Sequence, residues 1–335
     1  MDSLTQIVLG AAVGEAVLGK KVGNRAMLYG AIAGTIPDLD VISRYFVDTV
    51  TAIEWHRGFS HSILFSVLFA PLFGWIISKI ERPAKASWRD WSLLMFWGLF
   101  THPLLDSFTT WGTQLFWPFD LRLAFQSIFV IDPLYTLPFL CFLILAMRLP
   151  ISDPRRSKYN RWGLILSSAY LLLTIGLKTL AYSSFIKNLE NQKIQYHQIE
   201  IRPTPFNTIL WTANIDMEDA YLIGEYSFFD TKPIRFTPYR KNHELLGELS
   251  SNDKIQRLIK VTKGWYTISM NAKVIVYNDL RFGLIKSDPL DPIYAFSYKL
   301  LPFKDKLKVE EVPKYKGDAR EVLSGLWYRI WGGQD

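Results

Sequence analysis

The chain has 335 residues, 49% of them hydrophobic and 15% aromatic, with a formal net charge of +7 and one cysteine. One cysteine excludes a disulfide framework within the chain, and this length is room for two structural units. The charge does not point to nucleic acid: 12 of the 16 Lys and Arg residues before position 184 fall in three short segments, and the rest of the chain carries 22 Lys and Arg against 19 Asp and Glu, which is how membrane topology distributes basic residues.

The N-terminus, Met1-Asp2-Ser3-Leu4-Thr5-Gln6, has no basic leader and no small-residue cleavage site after it, so no signal peptide is expected. A membrane-spanning helix needs about 20 mainly apolar residues. Segments 60–80, 127–147 and 162–182 meet that test, and 91–108 is shorter and ends near His102 and Asp106. Segments 4–19 and 26–36 are shorter still, and they carry Gly10-x-x-x-Gly14 and Gly30-x-x-x-Gly34. Such spacings let membrane helices approach closely, so these two are expected to pair as a hairpin, with a re-entrant or interfacial helix as the alternative.

Basic residues orient the spans. Lys20, Lys21 and Arg25 follow the first segment, Lys79, Arg82, Lys85 and Arg89 the third, and Arg148, Arg155, Arg156, Lys158 and Arg161 the fifth. Alternate loops are basic and are therefore assigned to the cytoplasm. The other loops hold Asp38, Asp40, Asp48, Glu54, His56, His61, Asp106, Asp120 and Asp132, so the histidines and most acids fall on the outer face. The last span then delivers residues 184–335 to that face. There, 193–201, 208–215, 220–229, 265–270, 273–277 and 294–298 alternate like strands. A helix is expected over 254–261, capped within Ser250–Asp253, and another from near Asp318. The last helix puts Leu323, Leu326, Trp327, Ile330 and Trp331 on one side, to pack on the sheet or lie on a membrane surface. The fold expected is a membrane α-helical bundle of about six helices, some short, over 1–183, followed by an α+β extracytoplasmic domain over 184–335.

Three of the five histidines lie in two compact motifs, His56-Arg57-Gly58-Phe59-Ser60-His61-Ser62 and His102-Pro103-Leu104-Leu105-Asp106, and Pro37-Asp38-Leu39-Asp40 closes the second helix. His102 and Asp106, four apart, share a face if the helix continues, although Pro103 favours a kink or a fresh start. Pro37 should leave Asp38 and Asp40 on irregular backbone. Asp38, Asp40, His56, His61, His102 and Asp106 are the candidate metal ligands. Imidazole with carboxylate suits zinc first, then manganese or iron, and six donors suit two ions or one ion with supporting carboxylates. Arg57 is a candidate to hold an anionic substrate group. Asp132 is a candidate ligand or general base, and equally a helix cap before Pro133. His197 and His243 lack ligand spacing and read as surface residues. Trp88, Trp111 and Trp117 read as interfacial anchors.

Taken as a set, the N-terminal hexapeptide, Pro37–Asp40, the two histidine motifs and Ile131-Asp132-Pro133-Leu134 resemble the YbcI/YdjM-type bacterial inner-membrane proteins, a family described as membrane-bound metal-dependent hydrolases and in one description as LexA-binding. The resemblance covers about residues 1–150. It implies a bacterial plasma membrane and roles at the metal for Asp38, His56, His61, His102 and Asp106. Relatives often carry His where this chain has Gln6; if that His is a ligand, this site has lost one nitrogen. The function expected is a metal-dependent hydrolase at the outer face of the inner membrane, acting on a lipid or lipid-linked phosphoester, with no nucleic-acid partner. The alternative is a non-enzymatic membrane protein with a structural metal, whose C-terminal domain binds a partner. Transport ranks last, because the ionisable groups gather at one end and not near the midplane.

Overall fold

The computed structural model describes residues 1–81, 86–303, 306–315 and 317–334. Arg82 and Lys85, two of the basic residues assigned to a cytoplasmic loop, lie outside the described residues. The helices are α1 (Ser3–Val22), α2 (Asn24–Thr35), α3 (Thr49–Trp55), α4 (Ile63–Ile80), α5 (Trp88–Asp106), α6 (Pro133–Met147), α7 (Pro154–Asn191), α8 (Asp253–Thr262) and α9 (Ala319–Ile330). Two compact units form. One holds Met1–Ser43, Trp55–Gly176 and Pro205–Asn207, and the other holds Arg44–Glu54, Leu177–Thr204 and Thr208–Asp335.

In the first unit, α1 and α2 pack antiparallel at backbone contact. A methyl group on Gly10 would lie 2.2 Å from the Gly30 carbonyl oxygen, and one on Gly14 would lie 2.1 Å from that of Ala26. Both glycine motifs are thus used for approach. Among the described residues, α4 and α7 are long and apolar enough to cross a bilayer. Leu68, Leu72 and Trp75 on α4 and Leu172, Leu173 and Leu180 on α7 are exposed, as residues facing lipid would be. The other expected spans are helical with different bounds. Residues 127–132 are not helical, because Asp132 caps α6 at Pro133 and leaves that helix 15 residues long. A 3-10 helix, Pro37–Tyr45, replaces the irregular backbone expected after α2. A second one, Phe59–His61, precedes α4.

The second unit carries two four-stranded antiparallel meanders. Strands β1 (Gln198–Pro203), β2 (Leu210–Asp216), β3 (Ala220–Ser227) and β4 (Phe236–Arg240) follow one another in the first, and β5 (Tyr266–Asn271), β6 (Val274–Lys286), β7 (Ile293–Phe303) and β8 (Lys306–Glu311) in the second. Strands β4 and β8 were not anticipated: Pro238 interrupts the apolar pattern of one, and Lys and Glu dominate the other. Asn252 caps α8 and Asp318 caps α9. His243 is no free surface residue, since its Nε2 pairs with the Tyr266 carbonyl and its ring stacks 4.0 Å above Tyr266.

The stretch Arg44–Glu54, which separates Asp40 from His56, belongs to this second unit. Val50 of α3 is fully buried with Leu246, Ile255 and Leu258. Arg257 of α8 donates from Nε and Nη2 to the Glu54 carboxylate at 2.5–3.0 Å and from Nη2 to Thr51 Oγ1. The chain between the two groups of site residues is therefore fastened by an apolar plug and a forked ion pair.

Candidate metal centre

Three separate elements deliver the four side chains. Helix α5 begins with a capping box between Ser87 and Asp90 and runs through Pro103 without the expected restart. That continuity puts His102 and Asp106 on one face, with Nε2 to Oδ2 at 3.6 Å. The His102 Nδ1 lies 2.6 Å from the carbonyl oxygen of Gly34, near the end of α2. His61 ends the 3-10 turn before α4, which Ser62 caps through its hydroxyl. Its Nδ1 faces Ser60 Oγ at 3.0 Å and Asp40 Oδ2 at 3.3 Å. Asp38 enters from the 3-10 helix after α2.

These partners fix the imidazoles. A carbonyl or a carboxylate at Nδ1 accepts a proton, so each ring carries its hydrogen there and turns the Nε2 lone pair inward. The two Nε2 atoms lie 3.2 Å apart. Asp38 Oδ1 is 3.4 Å from each, and Asp106 Oδ2 is 3.6 Å from each. Four donors held about 2.0–2.1 Å from one ion in a tetrahedron have edges of about 3.3–3.4 Å. Five of the six edges therefore already fall close to that figure, and all four atoms lie within 4.8 Å of one another. Facing lone pairs at this spacing repel unless a cation or a proton lies among them. Asp106 Oδ2 is buried and has no hydrogen-bond partner of acceptable geometry. The residues present thus fit a divalent ion, with Asp40 and the Gly34 carbonyl as the outer groups that orient the ligands.

Electrostatics point the same way. Burial works against a charged His61, yet its hydrogen bonds with Asp106, Asp38 and Asp40 prevail and push its pKa up to about 9. Burial also opposes ionisation of Asp38 and Asp40, but the imidazoles beside them hold both carboxyls well below the usual range. The surroundings of His61 thus favour positive charge in the pocket, as a cation site requires. His61, His102 and Asp106 are fully buried, whereas the Asp38 side chain is 27% exposed and marks the rim.

The remaining sequence candidates are placed differently. Asp40 and His56 stand beside the four-donor group and not in it. His56 Nδ1 is 2.9 Å from Asp40 Oδ1, and the Arg57 and Ser60 donors take up Oδ2. Burial lowers the His56 pKa against the pull of Asp40. Arg57 is buried, with its Nε 2.9 Å from Asp106 Oδ2 and its Nη1 donating to Thr109 Oγ1. In this arrangement Arg57 is a counter-charge to Asp106, on a backbone that is left-handed at its own position (φ 59°). Of the two roles left open for Asp132, the structure shows the cap: it accepts from the Leu134 and Tyr135 amides and the Tyr170 hydroxyl.

Gln6, singled out in the sequence as the position where relatives often carry His, donates from Nε2 to Asp106 Oδ1 at 2.9 Å, leaving Oδ2 for the cluster. Other contributors had no sequence signal: the Met1 amino group also meets Oδ1. The Gly34 carbonyl is backbone and invisible to motif reading. Arg122 donates to the His56 carbonyl from a loop with no motif of its own. Ser60 lay inside the histidine motif and was legible there.

Residues 1–181 match the family described as YdjM inner membrane protein. Over 114 residues the chain is 31% identical to inner membrane protein YbcI of Escherichia coli (strain K12), a match covering 34% of this chain and 64% of that relative's length. No solved structure matches the chain.

Proposed function

Since the chain belongs to the YdjM inner membrane protein family, we propose that it is a metal-dependent hydrolase of the bacterial inner membrane whose substrate is a lipid or lipid-linked phosphoester. The observation that carries the proposal is the four-donor set of Asp38, His61, His102 and Asp106, preorganised at metal-ligand spacing. Zinc is the first choice because five donor separations suit a tetrahedron, and manganese or iron would add water ligands. Bound there, such an ion supplies Lewis acidity and a hydroxide-like water near neutral pH.

The chain's own groups complete the chemistry. His56, held at Nδ1 by Asp40, keeps Nε2 to accept a proton from water entering at the rim. Arg57 and Gln6 hold Asp106 in place. Leu39, Val41 and Ile42, exposed beside Asp38 and Asp40, give the rim an apolar border suited to acyl chains. In the full reading, α1, α2 and α4–α7 form a multi-pass bundle, the metal centre faces outward, and the C-terminal domain is extracytoplasmic. A reporter fused after residue 334 tests that topology: periplasmic activity agrees with it, and cytoplasmic activity refutes it. The function is tested by presenting metal-loaded protein with phospholipid and polyprenyl phosphoesters. Release of phosphate or headgroup that stops in His61→Ala and in His56→Ala is the result expected. Hydrolysis undiminished in both variants would refute the mechanism.

One observation favours a second reading. Four protein donors closing a tetrahedron are the pattern of a structural ion, whereas catalytic zinc keeps a position open. In that case the ion staples α2, α4 and α5 together, and the C-terminal domain acts by binding. The two readings separate at Asp38, the donor at the rim. Asp38→Ala should retain metal on three donors and keep some turnover if the centre is catalytic, and only lose stability if it is structural.

A further inference from the structure

Helix α9 leaves most of its apolar surface uncovered. Ile330 is buried and Leu326 half-buried, but Leu323, Trp327 and Trp331, spaced four residues apart along one side, are about half exposed or more. Packing on the sheet therefore uses only a narrow stripe. A row of one Leu and two Trp on a short helix is what interfacial helices present to lipid headgroups, and Trp is favoured at that depth. Arg320 stands on the same side, seven residues before Trp327, where its guanidinium can reach up to phosphates.

The second unit shows where this row lies relative to the anchor helix. Asn188, in the last turn of α7, and Gln192, just after its end, hydrogen-bond to the backbone of Ile234. The segment 227–234 in turn holds α9. Asp230 forms a forked ion pair with Arg329, Ser227 donates to the Ile330 carbonyl, and Phe229 stacks on Trp331 with ring centres 5.1 Å apart. The apolar stretch of α7 ends near Tyr182, so Asn188 lies about 9 Å further along the helix axis at about 1.5 Å per residue. That is about 2–4 Å beyond the headgroup zone, which adds about 5–7 Å to each side of the hydrocarbon, so the segment that α7 holds there lies close to the bilayer surface. Leu180 and Tyr182, at the end of the span, are exposed, and so is Phe229 in the segment that holds α9.

We propose that α9 is a membrane-surface helix that seats Leu323, Trp327 and Trp331 in the bilayer interface where α7 emerges. The occupant of this face is lipid. The inference rests on α7 spanning the membrane. It does not depend on the metal centre or on which side α7 exits, so the two proposals can fail separately.

The test uses the full chain with Cys141→Ala, which removes the one native thiol, reconstituted in vesicles of phosphatidylethanolamine and phosphatidylglycerol. Nitroxide labels are placed singly through Leu323→Cys, Trp327→Cys and, on the opposite side, Glu321→Cys. The expected result is a several-fold higher ratio of oxygen to nickel-chelate collisions at 323 and 327 than at 321. Free access of the chelate at all three positions would overturn the proposal. Protection from both reagents at 323 and 327 would also overturn it, because the face would then be covered by protein. Should either labelled variant misfold, depth-dependent quenching of the native tryptophans by brominated lipid is compared with and without Trp327→Ser. Loss of quenching in that variant supports the lipid seat, and an unchanged signal overturns it.

Discussion

Replacing Arg57 with Met should make the metal-free protein much less stable while strengthening its hold on a metal. The Arg57 Nε sits 2.9 Å from Asp106 Oδ2, and both side chains are buried. With an effective dielectric of about 20, a unit-charge pair at that distance attracts by about 6 kcal/mol, and breaking a buried pair from one side costs about 3–5 kcal/mol. Methionine keeps the apolar stem and tolerates the left-handed backbone no worse than arginine. At about 2–4 °C per kcal/mol, the melting temperature of the metal-free variant should fall by roughly 6–20 °C. A divalent ion at the four donors would replace the lost counter-charge, so the metal-loaded variant should fall much less. By linkage, every 1.4 kcal/mol of that difference appears as about tenfold tighter metal binding. The assay is thermal unfolding in detergent with and without metal, together with a competition titration against a chelating dye. Equal destabilisation in both states, or weaker metal binding in Arg57→Met, would refute the view that arginine and metal compete for one carboxylate.

Metal uptake should depend on pH through His61. Its pKa is raised to about 9, so its proton stabilises the metal-free fold fully below the ordinary value near 6.5 and is lost as the pH rises through 9. The metal-free protein should therefore melt progressively lower from pH 6.5 to 9 while the loaded protein does not, and apparent affinity should fall about tenfold for each unit of acidification below 9. Gly30→Val would place its Cβ 2.2 Å from the Gly10 carbonyl oxygen; forcing α1 and α2 apart should cost about 1–3 kcal/mol or more and lower metal content, because the nearby Gly34 carbonyl holds His102. Retained stability and retained metal would contradict that coupling. Glu54→Arg should lower the melting temperature by a few degrees, because a partly exposed forked ion pair contributes about 1 kcal/mol. Adding Arg257→Glu should restore it, and failure to do so would show that the pair does not fasten α3.

Legibility in the sequence followed the kind of physics involved. Apolar run length and glycine spacing located α1, α2 and α4–α7 among the described residues, but not the two 3-10 helices, and caps at Asn252 and Asp318 located α8 and α9. The bounds of α6 were missed because apolarity continues from residue 127, while the cap at Asp132 decides where helix begins. Residues 44–54 read as a loop between motifs, since only the tertiary partners of Val50 and Glu54 turn them into a helix of the second unit. At the site, the residue types that bind metals were visible in the motifs, and the four that converge are among them. Sequence could not divide six candidates into four inward donors and an Asp40–His56 pair, because that division depends on which nitrogen meets which oxygen. It also could not show that Arg57 pairs with Asp106 and Thr109, because those partners meet it only in the fold.

The most direct test is the metal content of detergent-purified protein, measured by plasma mass spectrometry beside His61→Ala and His102→Ala. One zinc, manganese or iron ion per chain in the native protein, lost in both variants while each still elutes as a folded species, is the result expected of a four-donor centre. Absence of metal from native protein after reconstitution with each of the three ions would contradict it and leave the cluster as a buried polar network held by a proton.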